Sequence, residues 1–335
     1  GEKSHCPGRP NVPRIRSRCL TSVEAYTRYV ELIPNRDPNG EAAWTRVHIG
    51  FLRSFKGRQP LDMGPGADAR VWTVPISIED DKVFVEARIN GGAHTLVLDT
   101  GTEQTTISVD VARRQRVVPI SSVRAAGVGE IGVRSLQVGR IDSLQIGDLT
   151  VRNVPCLIKN PPLGGLPRRE SETFSPLALG LSMRVDYRRR QLVLARNLIP
   201  AARTAHRLPL RLHRLAMVGG TLNGTLRAAF VIDTGGQVIS ISHTTAGLID
   251  PGANVRHIPL RVYGTSGWDK DAFLLPDVDL ELNTVRFDGI PVVVLDLRAP
   301  SALLGFQLGG ILGHKFLSPY TVSIDLARSV VELEP

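Results

Sequence analysis

Two aspartate residues in this chain open the same short motif, and that motif suits acid–base chemistry. Asp99 follows the apolar run 95–98 and begins Asp-Thr-Gly-Thr, and Asp233 follows the apolar run 230–232 and begins Asp-Thr-Gly-Gly. The two are 134 residues apart, about the length of one domain. Carboxyl groups in contact cannot both ionise, so one can act as a base while the other stays protonated as an acid. The repeat therefore predicts a paired-carboxylate site for hydrolysis, with one aspartate from each of two similar lobes.

The repeat extends well beyond the two aspartates. Asn-Gly precedes each motif, at 90–91 and 223–224, and a β-branched stretch ends at Ser108 and Ser242, nine residues after each aspartate. Further matches in the same order pair 144–147 with 280–283, Leu179-Gly180 with Leu312-Gly313, and 185–187 with 324–326. Ordered matches of this kind indicate an internal duplication.

The elements that position these residues are mostly short strands. From Val71 onward the apolar residues alternate with period two and are separated by tight turns. Residues 1–69 differ, because two helical patterns precede a Gly- and Pro-bearing linker, one from the capping box at Thr21 up to Pro34 and one from Glu41 to Lys56. We expect a helical extension over 1–69, a first lobe over 70–200 and a second over 201–335.

The chain resembles the aspartic proteases, and most closely the bacterial retropepsin-like group, in which a lobe ends with a pattern such as Gly310-Ile311-Leu312-Gly313-His314-Lys315-Phe316-Leu317. The likeness covers residues 70 to 335. It implies a mainly β fold with two similar β-barrel lobes related by a pseudo-two-fold axis. It also implies an endopeptidase in which Asp99 and Asp233 activate a water against a peptide bond. In that case no covalent acyl-enzyme is needed.

The neighbours of each aspartate have residue types that fit a support role. Gly101 and Gly235 allow a tight turn that brings a backbone N–H to the carboxylate. The resemblance implies that Thr100 and Thr234 exchange hydrogen bonds across the lobe interface. At the fourth position the lobes differ, because Thr102 can donate a hydroxyl to Asp99 whereas Gly236 offers none to Asp233. This departure from the pepsin-like pattern predicts a pH optimum less acidic than that of a pepsin, above about pH 3.

Two glycine-bearing segments are candidates for flaps that cover substrate in this family. In the second lobe the segment is 263–268, with Tyr263, Gly264 and Trp268 as candidate contacts, and an ordinary glycine hairpin is the alternative. In the first lobe it is 126–132, with Gly127 and Gly129. That segment also reads G-x-G-x-x-G, but the strand-like alternation after it argues against a dinucleotide-binding turn.

The first lobe's closing segment departs from the second's. Only six residues separate Gly180 from Asp186, whereas twelve separate Gly313 from Asp325. We therefore expect the short helix after Leu-Gly to be missing or compressed in the first lobe, with weaker support behind Asp99. Asp186 and Asp325 are interpreted as strand-end residues, not catalytic ones.

Composition narrows the remaining function classes. The 335 residues are 42% hydrophobic and 22% charged, which is ordinary for a globular protein, and no apolar run is long enough to span a membrane. The net charge of +9 comes from scattered short arginine clusters without interleaved aromatics, so we expect no nucleic-acid partner. No cysteine or histidine spacing suits a metal, and we expect no cofactor. Cys6 and Cys19 could be bridged in an oxidising compartment, whereas Cys156 is interpreted as a buried apolar residue.

Several alternatives stay open at this point. A scaffold that binds a peptide or partner without cutting it is the second functional hypothesis, although two intact aspartates argue against it. The extension over 1–69 is either a docked scaffold element, which its apolar stripes favour, or an inhibitory prosegment. We expect a monomer, because both lobes lie in one chain, acting on a protein or peptide substrate. An exported or periplasmic location is favoured, since a removed signal peptide would not be visible in a chain that begins at Gly1.

Overall fold

The computed structural model describes residues 14–32, 41–159, 172–249 and 257–335. The expected bridge between Cys6 and Cys19 lies outside the described residues, because Cys6 does. Cys156 is a free, buried thiol, as the sequence indicates.

Two helices form the start of the described chain, α1 (Arg14–Leu32) and α2 (Glu41–Ser54). The second matches the expected helix. The first begins before the capping box at Thr21, so that expected start is wrong. Residues 14–20 contain no glycine or proline to end a helix and include arginine and leucine, which favour one, so the helix continues through them.

Helix α2 is docked on the outside of the first lobe. Phe51 and Phe55 pack edge to face with ring centroids 5.2 Å apart, and both are buried against Val138. The Arg140 guanidinium lies 5.9 Å from the centre of the Phe55 ring and donates to the Ser54 carbonyl at 3.2 Å. These contacts attach the end of α2 to the first lobe, and the choice between a docked scaffold element and an inhibitory prosegment stays a prediction.

Eight strands form the sheet of the first lobe. They are β2 (Ser77–Glu79), β3 (Lys82–Ile89), β4 (Gly92–Leu98), β5 (Thr105–Ser108), β6 (Pro119–Ala125), β7 (Arg134–Ile146), β8 (Leu149–Lys159) and β9 (Thr173–Phe174), with β1 (Val71–Pro75) before them. Their spatial order is β2-β3-β4-β9-β5-β8-β7-β6, and an additional β3–β7 pairing curls the sheet towards a barrel.

The second lobe repeats this topology. Three strands come first in this part of the chain, namely β10 (Ser182–Asp186), β11 (Gln191–Ala195) and β12 (His206–Pro209). They are followed by β13 (Arg211–His213), β14 (Leu215–Leu222), β15 (Leu226–Ile232), β16 (Ile239–Ser242), β17 (Ile258–Pro259), β18 (Val262–Gly264), β19 (Gly267–Asp269), β20 (Phe273–Leu282), β21 (Val285–Leu295) and β22 (Gly310–Leu312). Its sheet has the order β13-β14-β15-β22-β16-β21-β20-β17, closed by β14–β20. The mainly β fold with a small helical extension is therefore confirmed.

A third sheet joins the lobes. It contains β1, β10, β11 and β12 together with β23 (Thr321–Asp325) and β24 (Val330–Glu334), in the order β1-β11-β10-β23-β24-β12. The central strands, one from each half of the chain, run antiparallel with Val185 opposite Val322. One apolar core extends from the first lobe through this sheet into the second. The boundary expected near residue 200 stays a prediction.

Short helices complete the described chain. They are α3 (Val109–Arg114), α4 (His243–Ile249), α5 (Arg298–Leu304) and α6 (His314–Leu317), with 3₁₀ turns at Ala67–Ala69 and Leu177–Leu179. The Asn-Gly pairs at 90–91 and 223–224 form the predicted hairpin turns, and all four residues have positive φ.

The structure corrects one match between the lobes. Leu312 lies beside Ile232 in parallel pairing, and in the first lobe Phe174 lies beside Leu98 in the same way. Phe174-Ser175, not Leu179-Gly180, is therefore the counterpart of Leu312-Gly313. Gly180, at φ 70°, ends the 3₁₀ turn Leu177–Leu179, the compressed form of α6. The match was misleading because Leu-Gly is common at helix ends.

We expect Phe55→Ala to lower the free energy of unfolding by about 3–5 kcal/mol, because it removes a fully buried aromatic side chain. Phe55 is 1% exposed, whereas Tyr29 on α1 is 44% exposed. The matched control Tyr29→Ala should therefore change the free energy by about 0.5 kcal/mol or less. Urea denaturation of both variants measures this. Equal effects would contradict the packing of Phe55, directly after α2, against the first lobe.

Candidate active site

The two aspartates lie at equivalent strand ends and are held there by equivalent backbone bonds. Asp99 follows β4, and its N–H donates to the Phe174 carbonyl at 2.9 Å. Asp233 follows β15, and its N–H donates to the Leu312 carbonyl at 3.0 Å. The expectation of weaker support behind Asp99 is therefore wrong. The support comes from β9, which the sequence match had overlooked.

The carboxyl groups of the pair meet and share a hydrogen bond, so the sequence-predicted pairing is present. A Cβ atom on Gly101 would lie 2.5 Å from Cγ of Asp233, and one on Gly235 would lie 2.7 Å from Cγ of Asp99. Real side chains do not tolerate such distances. Glycine is therefore required at both positions for two reasons. Each turn is tight, and each turn also lies against the carboxyl group of the other lobe.

Thr100 and Thr234 join the two turns through four buried hydrogen bonds. The Thr100 hydroxyl donates to the Ile232 carbonyl at 2.6 Å and accepts from the Thr234 N–H at 3.1 Å. The Thr234 hydroxyl donates to the Leu98 carbonyl at 2.8 Å and accepts from the Thr100 N–H at 3.1 Å. The exchange across the interface that the resemblance implies is thus present in the structure.

The asymmetry of the fourth position is the reverse of the one expected. The Thr102 hydroxyl donates to the Gln104 carbonyl at 3.1 Å, not to Asp99. On the other side, Oδ1 of Asp233 accepts the N–H groups of both Gly235 and Gly236, at 2.9 and 3.0 Å. Oδ1 of Asp99 accepts one N–H group from its own turn, that of Gly101, at 2.9 Å. A hydroxyl can rotate to a nearby carbonyl two residues away, so the residue type did not determine its partner.

Electrostatics separates the two carboxyl groups. Burial and the neighbouring Asp233 raise the pKa of Asp99 to about 7, opposed by the positive charge of Lys159 and the Gly101 N–H. Burial also raises the pKa of Asp233, but two N–H donors and the bond from Asp99 oppose this. Because hydrogen bonds to a carboxylate favour its charged form, the two N–H donors favour negative charge on Asp233 over Asp99. Each aspartate residue as a whole is partly exposed.

The flap candidates of the two lobes contact each other. Strands β18 and β19 form a hairpin with Thr265 and Ser266 at its tip, and Tyr263 opposite Trp268. The Ser266 N–H donates to the Val128 carbonyl at 2.8 Å, and its hydroxyl accepts from the Gly127 N–H at 3.0 Å. The segment 126–132 is followed by strand β7, so the dinucleotide alternative is excluded.

The glycines in these two segments allow the backbones of the two lobes to approach closely. A Cβ atom on Gly129 would collide with the backbone of Ser266, and one on Gly264 with the Val128 carbonyl. The indole of Trp268 is 43% exposed.

Sequence reasoning missed one charged residue near the pair. Lys159, at the end of β8, is 8% exposed, and its charge acts on Asp99. The sequence did contain a signal for this residue, because a lone lysine ends the apolar strand pattern Val154–Ile158. In the structure that strand pairs with β5, which follows the first Asp-Thr-Gly turn.

One known protein family matches part of the first lobe. Residues 85–182, which contain Asp99 and most of the first-lobe sheet, match the family described as aspartyl protease. These residues make up less than half of the chain, and over them the sequence is similar to that family. The match supports the resemblance to the aspartic proteases and aspartic peptidase activity in general. The second lobe repeats the topology and the turn geometry of the first.

The aspartic proteinase from Irpex lacteus is among the similar solved structures, with 13% identity, a TM-score of 0.49, and coverage of 79% of this chain and 97% of that one. No curated protein matches the chain significantly.

Neither α1 nor any other helix of the described residues combines the length and apolarity needed to cross a membrane. The same residues contain no cluster of three or more histidine, cysteine or acidic side chains suited to a metal ion.

We expect Thr100→Val to lower the free energy of unfolding by about 2–4 kcal/mol, because the buried Ile232 carbonyl and Thr234 N–H each lose their partner. Thr102→Val is the matched control and should cost less than about 1 kcal/mol, because its hydroxyl meets only the Gln104 carbonyl of its own turn. Urea denaturation at one pH measures both. A loss at Thr102 as large as that at Thr100 would contradict the hydrogen-bond assignment.

Proposed function

We propose that this protein is a single-chain aspartic endopeptidase with Asp99 and Asp233 as its catalytic pair. The observation that carries the proposal is the hydrogen-bonded contact of two buried carboxyl groups, one from each lobe, at the ends of equivalent strands. Such a pair has an acid and a base within reach of one water molecule.

The hydrogen bonds of the pair suggest the role of each member. Asp233, the charged partner, takes a proton from a water bound between the carboxyl groups as the water oxygen attacks the scissile carbonyl carbon. Asp99, the protonated partner, gives its proton to the carbonyl oxygen as the tetrahedral diol forms. When the C–N bond breaks, the proton on Asp233 passes to the leaving nitrogen and a diol proton returns to Asp99. Proton transfers balance over the cycle, and no covalent enzyme intermediate forms.

The remaining predicted residues have supporting roles in this proposal. Thr100 and Thr234 hold the two turns together, and Gly101 and Gly235 leave room for the carboxyl groups. The paired hairpins would cover substrate, with Gly127, Gly129, Tyr263, Gly264 and Trp268 at their contact. Substrate entry then requires the bonds of Ser266 to open, a motion typical of lids that gate catalysis.

We expect Asp99→Asn and Asp233→Asn each to lower kcat/KM by about a thousandfold or more, because neither variant retains both an acid and a base. Hydrolysis of a peptide library, followed by mass spectrometry, is the measurement. Asp186→Asn is the matched control and should keep activity, because Asp186 bonds to Arg189 in a turn of the shared sheet. Melting curves verify that each variant is folded.

The same experiment discriminates the alternative of a binding scaffold. Wild-type protein that binds peptides but hydrolyses none between about pH 3 and pH 8, the range over which carboxyl pairs titrate, would contradict the endopeptidase proposal and support that alternative.

We expect a bell-shaped pH dependence of kcat/KM with its maximum above about pH 3 and on the acid side of neutrality, because the pair works with one proton. The pKa of Asp99 is raised to about 7, so activity falls as pH rises through that value and the proton is lost. At low pH activity falls because Asp233 becomes protonated. Initial rates across the range measure this, with melting curves at each pH as control. A rate still rising above about pH 8 would refute the assigned proton.

A further inference from the structure

The two lobes present equivalent faces beside the catalytic pair, and strand register identifies the matching positions. In the second lobe Ile232 and Val294 point into the main core, so alternation places their neighbours Val231 and Leu295 on the opposite face, the side of Asp233. This face is apolar, and its buried members are Met217, Val231, Ala272, Val293, Leu295, Leu297, Leu304 and Leu308. Val128 of the first-lobe hairpin and Val262 of the second pack against it, so the face lies beneath the hairpins.

The first lobe places a lysine where the second has a leucine. Leu295 lies opposite Ser242 in the parallel β16–β21 pairing, and Lys159 lies opposite Ser108 in the parallel β5–β8 pairing. Ile158 points into the main core, so Lys159 lies on the other face, the side of Asp99.

A second pair of equivalent positions shows the same difference between the lobes. Thr173 in β9 corresponds to Ile311 in β22, since each pairs with the residue two before the aspartate. At these two positions the first lobe therefore has a cation and a hydroxyl where the second lobe has apolar side chains.

The surroundings of Lys159 combine opposite and like charges. It is 8% exposed, and burial lowers the pKa of its ammonium group, while Asp99 and Glu172 favour the charged form. The positive charges of Arg134 and Lys82 act against it. Glu172 is also bound by the Ser108 N–H at 3.2 Å.

Arg134 connects this group of cations to the hairpins. Its guanidinium donates to the Thr265 carbonyl at the tip of the second-lobe hairpin, at 2.7 Å. Its Nε is buried and has no hydrogen-bond partner among the described residues. Guanidinium and ammonium groups gathered beneath a hairpin match the chemistry of a carboxylate, which could receive bonds from both.

We propose that Lys159, together with Arg134, forms a first-lobe subsite that selects an acidic substrate side chain, Asp or Glu, next to the scissile bond. The inference rests on the proposed endopeptidase function and adds its substrate class. The second-lobe equivalent around Leu295 accepts an apolar side chain on the other side of the bond. The substrate is thus a peptide with an acidic and an apolar residue flanking the cleaved bond.

The test uses peptides that differ only at the two residues flanking the cleaved bond, with Glu, Gln or Leu at each. Wild-type protein should favour Glu over Gln at one of them by about tenfold or more in kcat/KM, as expected for hydrogen bonds to a charged group. Lys159→Leu should abolish this preference and raise kcat/KM for Leu, whereas Lys159→Arg should keep it. Each variant is measured at its own pH optimum, since Lys159 also acts on Asp99.

The matched control is Lys270→Leu, which removes a lysine whose side chain is 69% exposed and paired with Glu130. It should leave the Glu preference unchanged. If Lys159→Leu does not fold, Arg134→Gln tests the same subsite and should weaken the preference. A wild type that hydrolyses peptides without favouring Glu, or a preference that survives Lys159→Leu or Arg134→Gln, overturns the inference.

A binding measurement separates this inference from the proposed function. The affinity of Asp233→Asn for the Glu and Gln peptides, measured by calorimetry, should differ by about tenfold. If no peptide is hydrolysed by the wild type yet this difference is present, the endopeptidase proposal fails and the acidic subsite stands. Equal affinities overturn the subsite.

Discussion

Two carboxyl groups held in contact away from bulk water are the constraint on which the rest of this structure depends. If both were ionised, their repulsion at 4 Å would be about 4 kcal/mol at an effective dielectric of 20, so the contact needs a shared proton and rigid support. Both are present. Glycines at 101 and 235 make room for the opposing carboxyl groups, and Thr100 and Thr234 fasten one turn to the other through buried bonds. The shared six-stranded sheet then fixes the lobes that carry them.

Near-symmetry of the backbone makes the departures from symmetry informative. The duplicated sheets agree strand for strand, yet Asp233 receives one more backbone N–H than Asp99, and among the described residues a buried lysine acts on the aspartate in the first lobe alone. The first difference favours the charged form of Asp233 over that of Asp99. The second places a cation in the first lobe at the register position where the second lobe has Leu295.

Much of the fold was predictable because it is encoded locally. The Asn-Gly turns, the alternating strands and α2 follow from neighbouring residues, and the duplication made each lobe a check on the other. The first helix was misjudged at its start, because a capping pattern at Thr21 is compatible with a helix interior. The lobe-closing match failed at Leu179-Gly180 for a similar reason, since a short motif that ends a turn cannot reveal which strand lies beside Leu98. That partner, Phe174, is identified only by its pairing.

The sequence alone determined that two Asp-Thr-Gly turns end equivalent strands and belong together, because both turns and their flanking strands are patterns of adjacent residues. Only the tertiary structure decided how each side chain is used. The Thr102 hydroxyl donates to the Gln104 carbonyl, the Gly236 N–H donates to Asp233, and burial beside Asp233 raises the pKa of Asp99. Lys159 came to act on Asp99 from sixty residues away in the chain. Hydrogen-bond partners and burial depend on residues distant in sequence, and these set the charge of a carboxyl group.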